Sequence, residues 1–126
     1  MDASVEESLA RAAKIIAASR RLIAFTGAGI SAESGVRTFR GEGGLWDEID
    51  SSLLEIGRFN AEPAASWEAI KAVFYASLPG GARPKPNAAH RVLAEWERDG
   101  ILYFVVTQNI DGLHQAAGSR RVAEFH

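Results

Sequence analysis

The chain has 126 residues, 47% of them hydrophobic and 24% charged, which suits one soluble globular domain with a sizeable core. A net charge of −2 gives no reason to propose a nucleic-acid or membrane partner, and the lack of cysteine excludes disulfides and thiolate metal sites. His90, His114 and His126 do not stand at ligand spacing, so no metal is expected.

The amino terminus, MDASVEESLARAAK, carries acidic residues and no long apolar region, so it does not read as a signal peptide. No apolar run reaches the roughly 18 residues of a membrane helix, and a cytosolic protein is expected. Ser4-Val5-Glu6-Glu7 matches a capping box. Behind it Leu9, Ala12, Ala13, Ile16 and Ala17 recur at helical spacing, and Arg20-Arg21 would close the helix favourably against its dipole. Leu22 to Thr26 follows as a strand apolar enough to be buried on both faces, as parallel strands are.

The strand runs into Gly27-Ala28-Gly29 and a small-residue segment with helical character. Gly27, Gly29 and Ala32 fit the G-x-G-x-x-G/A spacing, in which glycines make the turn and admit a pyrophosphate beside a helix start. A glycine-rich left-handed turn without a ligand would have the same composition. From Val36 to Gly44 periodicity disappears, and the glycines at 41, 43 and 44 predict a mobile loop. Leu45 and Trp46 either anchor its far end in the core or belong to a lid over a ligand.

Leu53, Leu54 and Ile56 suggest a short helix that Gly57 could stop. Glu62-Pro63 opens a clearer helix whose stripe of Trp67, Ile70, Phe74 and Leu78 reads as core, ended by Pro79-Gly80-Gly81. Asn87 is a good N-cap for the next helix, which carries Ala89, Leu93 and Trp96 to a stop at Gly100; His90 in its first turn reads as structural. Ile101 to Val106 is a second buried strand, delivering Thr107, Gln108, Asn109 and Asp111 at its carboxyl end, and Val122 to Phe125 is a third. Arg120-Arg121 reads as a solvated element end. Alternating strands and helices predict an α/β fold: a Rossmann-like parallel sheet with helices on both faces, whose ligands sit at the strands' carboxyl ends.

Several motifs stand in a fixed order: Gly27-Ala28-Gly29-Ile30-Ser31, Ser34-Gly35, Phe39-Arg40, Gly44-Leu45-Trp46, Pro86-Asn87, Thr107-Gln108-Asn109-Ile110-Asp111 with Leu113-His114, and Gly118-Ser119. In order and spacing, from about Leu22 to His126, they together resemble the amino-terminal half of a bacterial-type sirtuin, an NAD-dependent protein lysine deacylase. The resemblance implies that Gly27, Ala28, Gly29 and Ser31 hold NAD, with Phe39, Arg40 and Trp46 in a cofactor lid. It further implies that Gln108 and Asn109 address the ribose and nicotinamide pocket, with Ile110 and Asp111 at the carboxamide, and that His126 is the general base. Without it, Asp111 could simply cap a turn. His114 reads as structural, packed behind that turn.

The implied reaction removes acyl groups, acetyl above all, from protein lysine, giving nicotinamide and O-acyl-ADP-ribose. NAD hydrolysis or ADP-ribosyl transfer in the same pocket, and a non-catalytic NAD-binding module, are the alternatives. Sirtuins continue past the base with a zinc module of paired cysteines and the rest of the sheet. The resemblance therefore implies that residues 1–126 form only part of a catalytic domain, weak or inactive alone.

Arg37-Thr38, a variant that occurs notably in bacterial members resembling the desuccinylase branch, stands where the family often has Pro-Asp. That branch places an arginine three residues after a pocket tyrosine to pair with a succinyl carboxylate. Here Tyr75 is followed at that spacing by Leu78, so Tyr75 is expected to line a pocket for uncharged acyl groups. In the complete enzyme Leu78→Arg should therefore raise the ratio of succinyl- to acetyl-lysine turnover. Comparable turnover of the two peptides before the substitution would contradict the assignment.

Overall fold

The computed structural model describes residues 3–74 and 83–125. They form two compact units, one comprising Met1–Thr26 with Ala88–His126 and the other Gly27–Asn87.

The first unit holds helix α1 (Ala3–Ala18), strand β1 (Leu22–Thr26), a long helix at Ala88–Arg98, strand β2 (Leu102–Thr107), a short helix at Leu113–Ala117 and strand β3 (Val122–Glu124). The sheet order is β1-β2-β3, and both pairings are parallel. Parallel neighbours need a crossover between them, which the long helix supplies before β2 and the short one before β3. Register pairs Thr26 with Thr107 and Thr107 with Glu124, so the three carboxyl ends lie in one row. Each ladder runs one residue further, since Gln108 N donates to Thr26 O at 3.0 Å and Phe125 N to Thr107 O at 2.9 Å.

The centre of this unit is β2, where Leu102 and Val105 are fully buried, together with Leu113. The expectation that β1 is buried on both faces fails. Leu22, Ala24 and Thr26 are half-buried, but Ile23 is 55% and Phe25 64% exposed. Strand side chains alternate, and on this second face Phe25 meets the ring of Phe125 edge-on at 6.2 Å. A run of apolar residues does not itself say which face is covered.

The amphipathic pattern of α1 is real, yet none of its residues is buried. The helix already includes Ala3, so Ser4 lies inside it and its carbonyl accepts the Ser8 hydroxyl at 2.8 Å. It ends at Ala18 with no basic residue in its last turn, and Arg20 and Arg21 follow outside the helix. Nor is Arg121 merely solvated. Its guanidinium lies 5.3 Å from the Tyr103 ring centre, and its Nη2 donates to Leu102 O at 3.3 Å.

The second unit begins with helix α2 (Ala28–Ser31) and contains α3 (Ile56–Ala61) and α4 (Pro63–Phe74), with 3-10 turns at Ala32–Ser34, Leu45–Asp47 and Ser51–Leu54. The chain breaks helix at Glu55, whose ψ is 140°, and Gly57 lies inside α3 rather than stopping it. The predicted stripe on α4 is also displaced. Ser66, Ala69 and Val73 are buried, at i, i+3 and i+7, whereas Trp67 is 58% exposed. Small side chains on that face permit close backbone approach, and Trp67 instead meets Phe59 of α3 edge-on at 5.7 Å. Leu78 lies outside the described residues. The long helix and the short helix of the first unit are α5 and α6 below.

Candidate functional site

In the second unit, the glycine turn opens on Gly27, which is extended (φ −142°, ψ −168°) and caps α2 without a side chain. Its carbonyl accepts Ile30 N at 3.1 Å. Neither Gly27 nor Gly29 has a positive φ, so the left-handed turn that the sequence allowed is not what these glycines build. A Cβ on Gly29 would meet nothing within 4 Å. Glycine there answers no demand of the chain's own backbone or packing, and it leaves the helix start open. Ser31 is buried, and the Asn87 amide donates to Ile30 O at 2.7 Å and to Ser34 Oγ at 3.1 Å, fixing the turn behind the glycines.

The loop expected to be mobile is closed at its neck. Thr38 O accepts Leu45 N at 2.9 Å, and Phe39 O accepts Trp46 N at 3.0 Å. Arg37 grips Glu48 through two bonds of 3.0 and 2.9 Å and donates to Gly43 O at 3.0 Å. That hydrogen bonding raises the Arg37 pKa and lowers that of Glu48. Thr38 Oγ1 donates to Arg40 O at 3.0 Å, so both residues that depart from Pro-Asp serve the loop's own shape. A Cβ on Gly44 would come within 2.9 Å of Phe39 O and Arg40 C, so only glycine fits. Leu45 is buried as an anchor, while Phe39, 38% exposed, stacks on half-buried Trp46 at 5.1 Å. Arg40 is exposed.

In the first unit, the carboxyl ends of β1 and β2 carry the second group of candidates. Gln108 and Ile110 are exposed, Asn109 is buried and Asp111 half-buried. Asp111 Oδ1 accepts Leu113 N at 3.0 Å, so it does cap the turn into α6. Gly112 takes φ 70° in that turn, and Gly118 (φ 110°) ends the helix.

Beneath them lies a group that the sequence signalled only by ending two apolar strands in threonine. Thr26 Oγ1 donates to Thr107 Oγ1 at 2.8 Å, and Thr107 Oγ1 also accepts Asn109 N at 3.1 Å. His114 Nε2 is 2.9 Å from Thr26 Oγ1. Nε2 donates to Thr26 Oγ1 or accepts from it according to the imidazole tautomer. The buried Nδ1 has no hydrogen-bond partner among the described residues. His90, fully buried, meets His114 edge-on with ring centres 5.0 Å apart, as structural histidines would.

Burial lowers the pKa of His90, with Asp111 opposing and Arg91 adding. Burial also lowers that of His114, aided by His90 and opposed by Asp111. A second unforeseen contact braces β3. The Glu97 carboxylate accepts Arg120 N and Arg121 N, each at 2.9 Å. Burial works against its charge, but these bonds and the Arg121 guanidinium outweigh it and lower the pKa. Among the described residues no three His, Cys, Asp or Glu side chains converge on a possible metal position. Tyr75 and His126 lie outside the described residues.

A parallel sheet with a glycine turn after its first strand and a polar cluster after its second defines a Rossmann-like class, and the closer kinship is specific. The chain belongs to the Sir2 family, which it matches over residues 27–126. It is 49% identical over 123 residues to NAD-dependent protein deacylase 2 of Archaeoglobus fulgidus, an alignment covering 97% of this chain and 47% of that protein. A solved Sir2 enzyme superimposes with a TM-score of 0.85 at 48% identity, covering 96% of this chain and 46% of its own. A Sir2 bound to a deacetylated peptide and 3′-O-acetyl-ADP-ribose superimposes at 0.80 with 38% identity, covering 88% of this chain and 44% of its own. The chain thus spans about half the length of the curated relatives it matches.

The buried histidines set a pH dependence. Their folded pKa values lie below the ordinary 6.5, so as pH falls below that value the unfolded chain takes up protons that the folded one refuses. Melting temperature should hold steady from pH 8 to 7 and fall between pH 6.5 and 5, above the range where carboxylates titrate. A His114→Gln variant should show a shallower fall. An unchanged slope in that variant would contradict the assignment.

Proposed function

We propose that this chain is the amino-terminal half of an NAD-dependent protein lysine deacylase acting in the cytosol, with acetyl-lysine in proteins or peptides as its substrate. The observation that carries the reading is that the Sir2 match takes in both the glycine turn and residues 108–111 at the end of β2. No described helix is long and apolar enough to cross a membrane. Zinc, on this reading, belongs to a module beyond residue 126.

The residues suit a reaction in which the acyl oxygen of the substrate attacks the ribose carbon that bears nicotinamide. Positive charge develops on the sugar, so water must be kept away and two weakly reacting partners held in line. Gly27, Ala28, Gly29 and Ser31 bind the pyrophosphate side of NAD, with Gly29 leaving its helix start open. Phe39, presented by the closed loop and backed by Trp46, shields the ribose, and Arg40 lies beside it.

Gln108 and Asn109 supply amide hydrogen bonds to ribose and nicotinamide without offering a strong nucleophile. Ile110 and Asp111 contact the carboxamide, Asp111 being a carboxylate already oriented by its bond to Leu113 N. His126 takes a ribose hydroxyl proton near neutral pH, as an imidazole can, since the unperturbed side chain titrates at about 6.5. Tyr75 lines the acyl pocket.

The test uses the complete enzyme, meaning this chain continued to the length of its relatives. Nicotinamide release should require an acetyl-lysine peptide and yield equimolar O-acetyl-ADP-ribose, and His126→Ala should lower kcat by about 10²- to 10⁴-fold. Release of free ADP-ribose without peptide would favour NAD hydrolysis, and no release at all would favour a binding module.

A further inference from the structure

His114, Thr26 and Thr107, linked by hydrogen bonds that lead to Asn109 N, have no part in the chemistry just described. Burying hydroxyls and an imidazole is costly unless each is bonded, and valines of the same shape would end two apolar strands at least as well. The hydroxyls are therefore there for what they hold. Asn109 N is the first backbone donor past the ladder that Gln108 N extends to Thr26 O. It points at Thr107 Oγ1, 3.1 Å away. That oxygen is held as an acceptor because the Thr26 hydroxyl also donates to it at 2.8 Å. The Thr26 hydroxyl is oriented in turn by His114 Nε2 at 2.9 Å.

We propose that Thr26, Thr107 and His114 are positioning residues that hold the Asn109 backbone, and with it the Asn109 side chain, in the geometry the deacylase reaction needs. This rests on the reading that Asn109 addresses the ribose and nicotinamide. Apolar packing alone would fix strands β1 and β2, but it supplies no acceptor for Asn109 N. The hydroxyl chain does so, with the Thr107 oxygen meeting both Asn109 N and the Thr26 hydroxyl. The same logic explains a histidine at 114 where any large apolar side chain would fill the volume, since leucine could not orient Thr26.

Two pairs of variants in the complete enzyme separate this role from simple packing. Thr26→Val keeps shape and loses the hydrogen bonds, whereas Thr26→Ser keeps the hydroxyl. His114→Leu fills space, whereas the amide of His114→Gln can reach Thr26. We expect Thr26→Val and His114→Leu to lower kcat by about 10²-fold, the effect of misplacing a reacting group by about 1 Å. The peptide KM should change little. Thr26→Ser and His114→Gln should recover most of the rate, and Thr26→Val should melt no lower than Thr26→Ser.

Amide exchange at Asn109 should quicken in the Val and Leu variants and stay slow in the Ser and Gln variants. Unchanged kcat in Thr26→Val, or rate losses that simply follow melting temperature across all four variants, would overturn the proposal. If the unsubstituted enzyme released no nicotinamide, the deacylase reading would fall with it. The Asn109 exchange rates would still decide whether the chain holds the loop, and equal rates in Thr26→Val and Thr26→Ser would show that it does not.

Discussion

Parallel pairing of β1 with β2 places Thr26 opposite Thr107 at the end of both strands, and the polar half of the first unit follows from that register. Had the strands slipped by one residue, every side chain would have changed face, and the two hydroxyls could not have met. As they stand, the pair gives Asn109 N an acceptor and gives the buried His114 a partner for one nitrogen. The loop that leaves β2 is thereby held where the ladder ends, and Asp111 carries the constraint on into α6 by capping its first turn. Loops at strand ends usually move most readily. This one starts from a fully bonded strand end.

A different device serves the second unit. The segment from Arg37 to Glu48 has one 3-10 turn and no other regular element, yet its neck is closed by backbone bonds and by a two-pronged ion pair. Exposed ion pairs are individually weak, so the backbone bonds and the buried Leu45 anchor matter more to its shape. Arg37 adds bonds to Gly43 O and Glu48 within the same loop. Phe39 on Trp46 is then presented as a stacked pair rather than as two independent side chains.

Much of this order was legible in the sequence because its signals are local. Strand β1 starts and stops where its apolar run does, and α5 ends before Gly100, whose φ of 77° needs glycine. The motifs at Gly27–Ser31 and Thr107–Asp111 identified the family, because several short patterns at fixed separations are far more specific than any one. What failed were inferences that depend on neighbours. The covered face of β1 and the buried side of α4 are set by what packs there, which composition does not encode, so Phe25 and Trp67 were misplaced. The bonded neck of the loop left no signal, because a pairing such as Arg37 with Glu48 across eleven residues leaves no periodic trace. The hydroxyl chain was invisible for the same reason, since Thr26 and Thr107 stand 81 residues apart.

In the proposed function the glycine turn, the closed loop and the end of β2 each contact NAD. Backbone amide shifts of the complete enzyme, recorded during titration with NAD, test this most directly. The account predicts saturable changes with a common midpoint at Gly27 to Gly29, at Phe39 and Arg40, and at Gln108 to Asp111. It would be contradicted if the changes were confined to the arginine-lined groove of Arg91, Arg98, Arg120 and Arg121, or if the three segments stayed unmoved at saturating NAD.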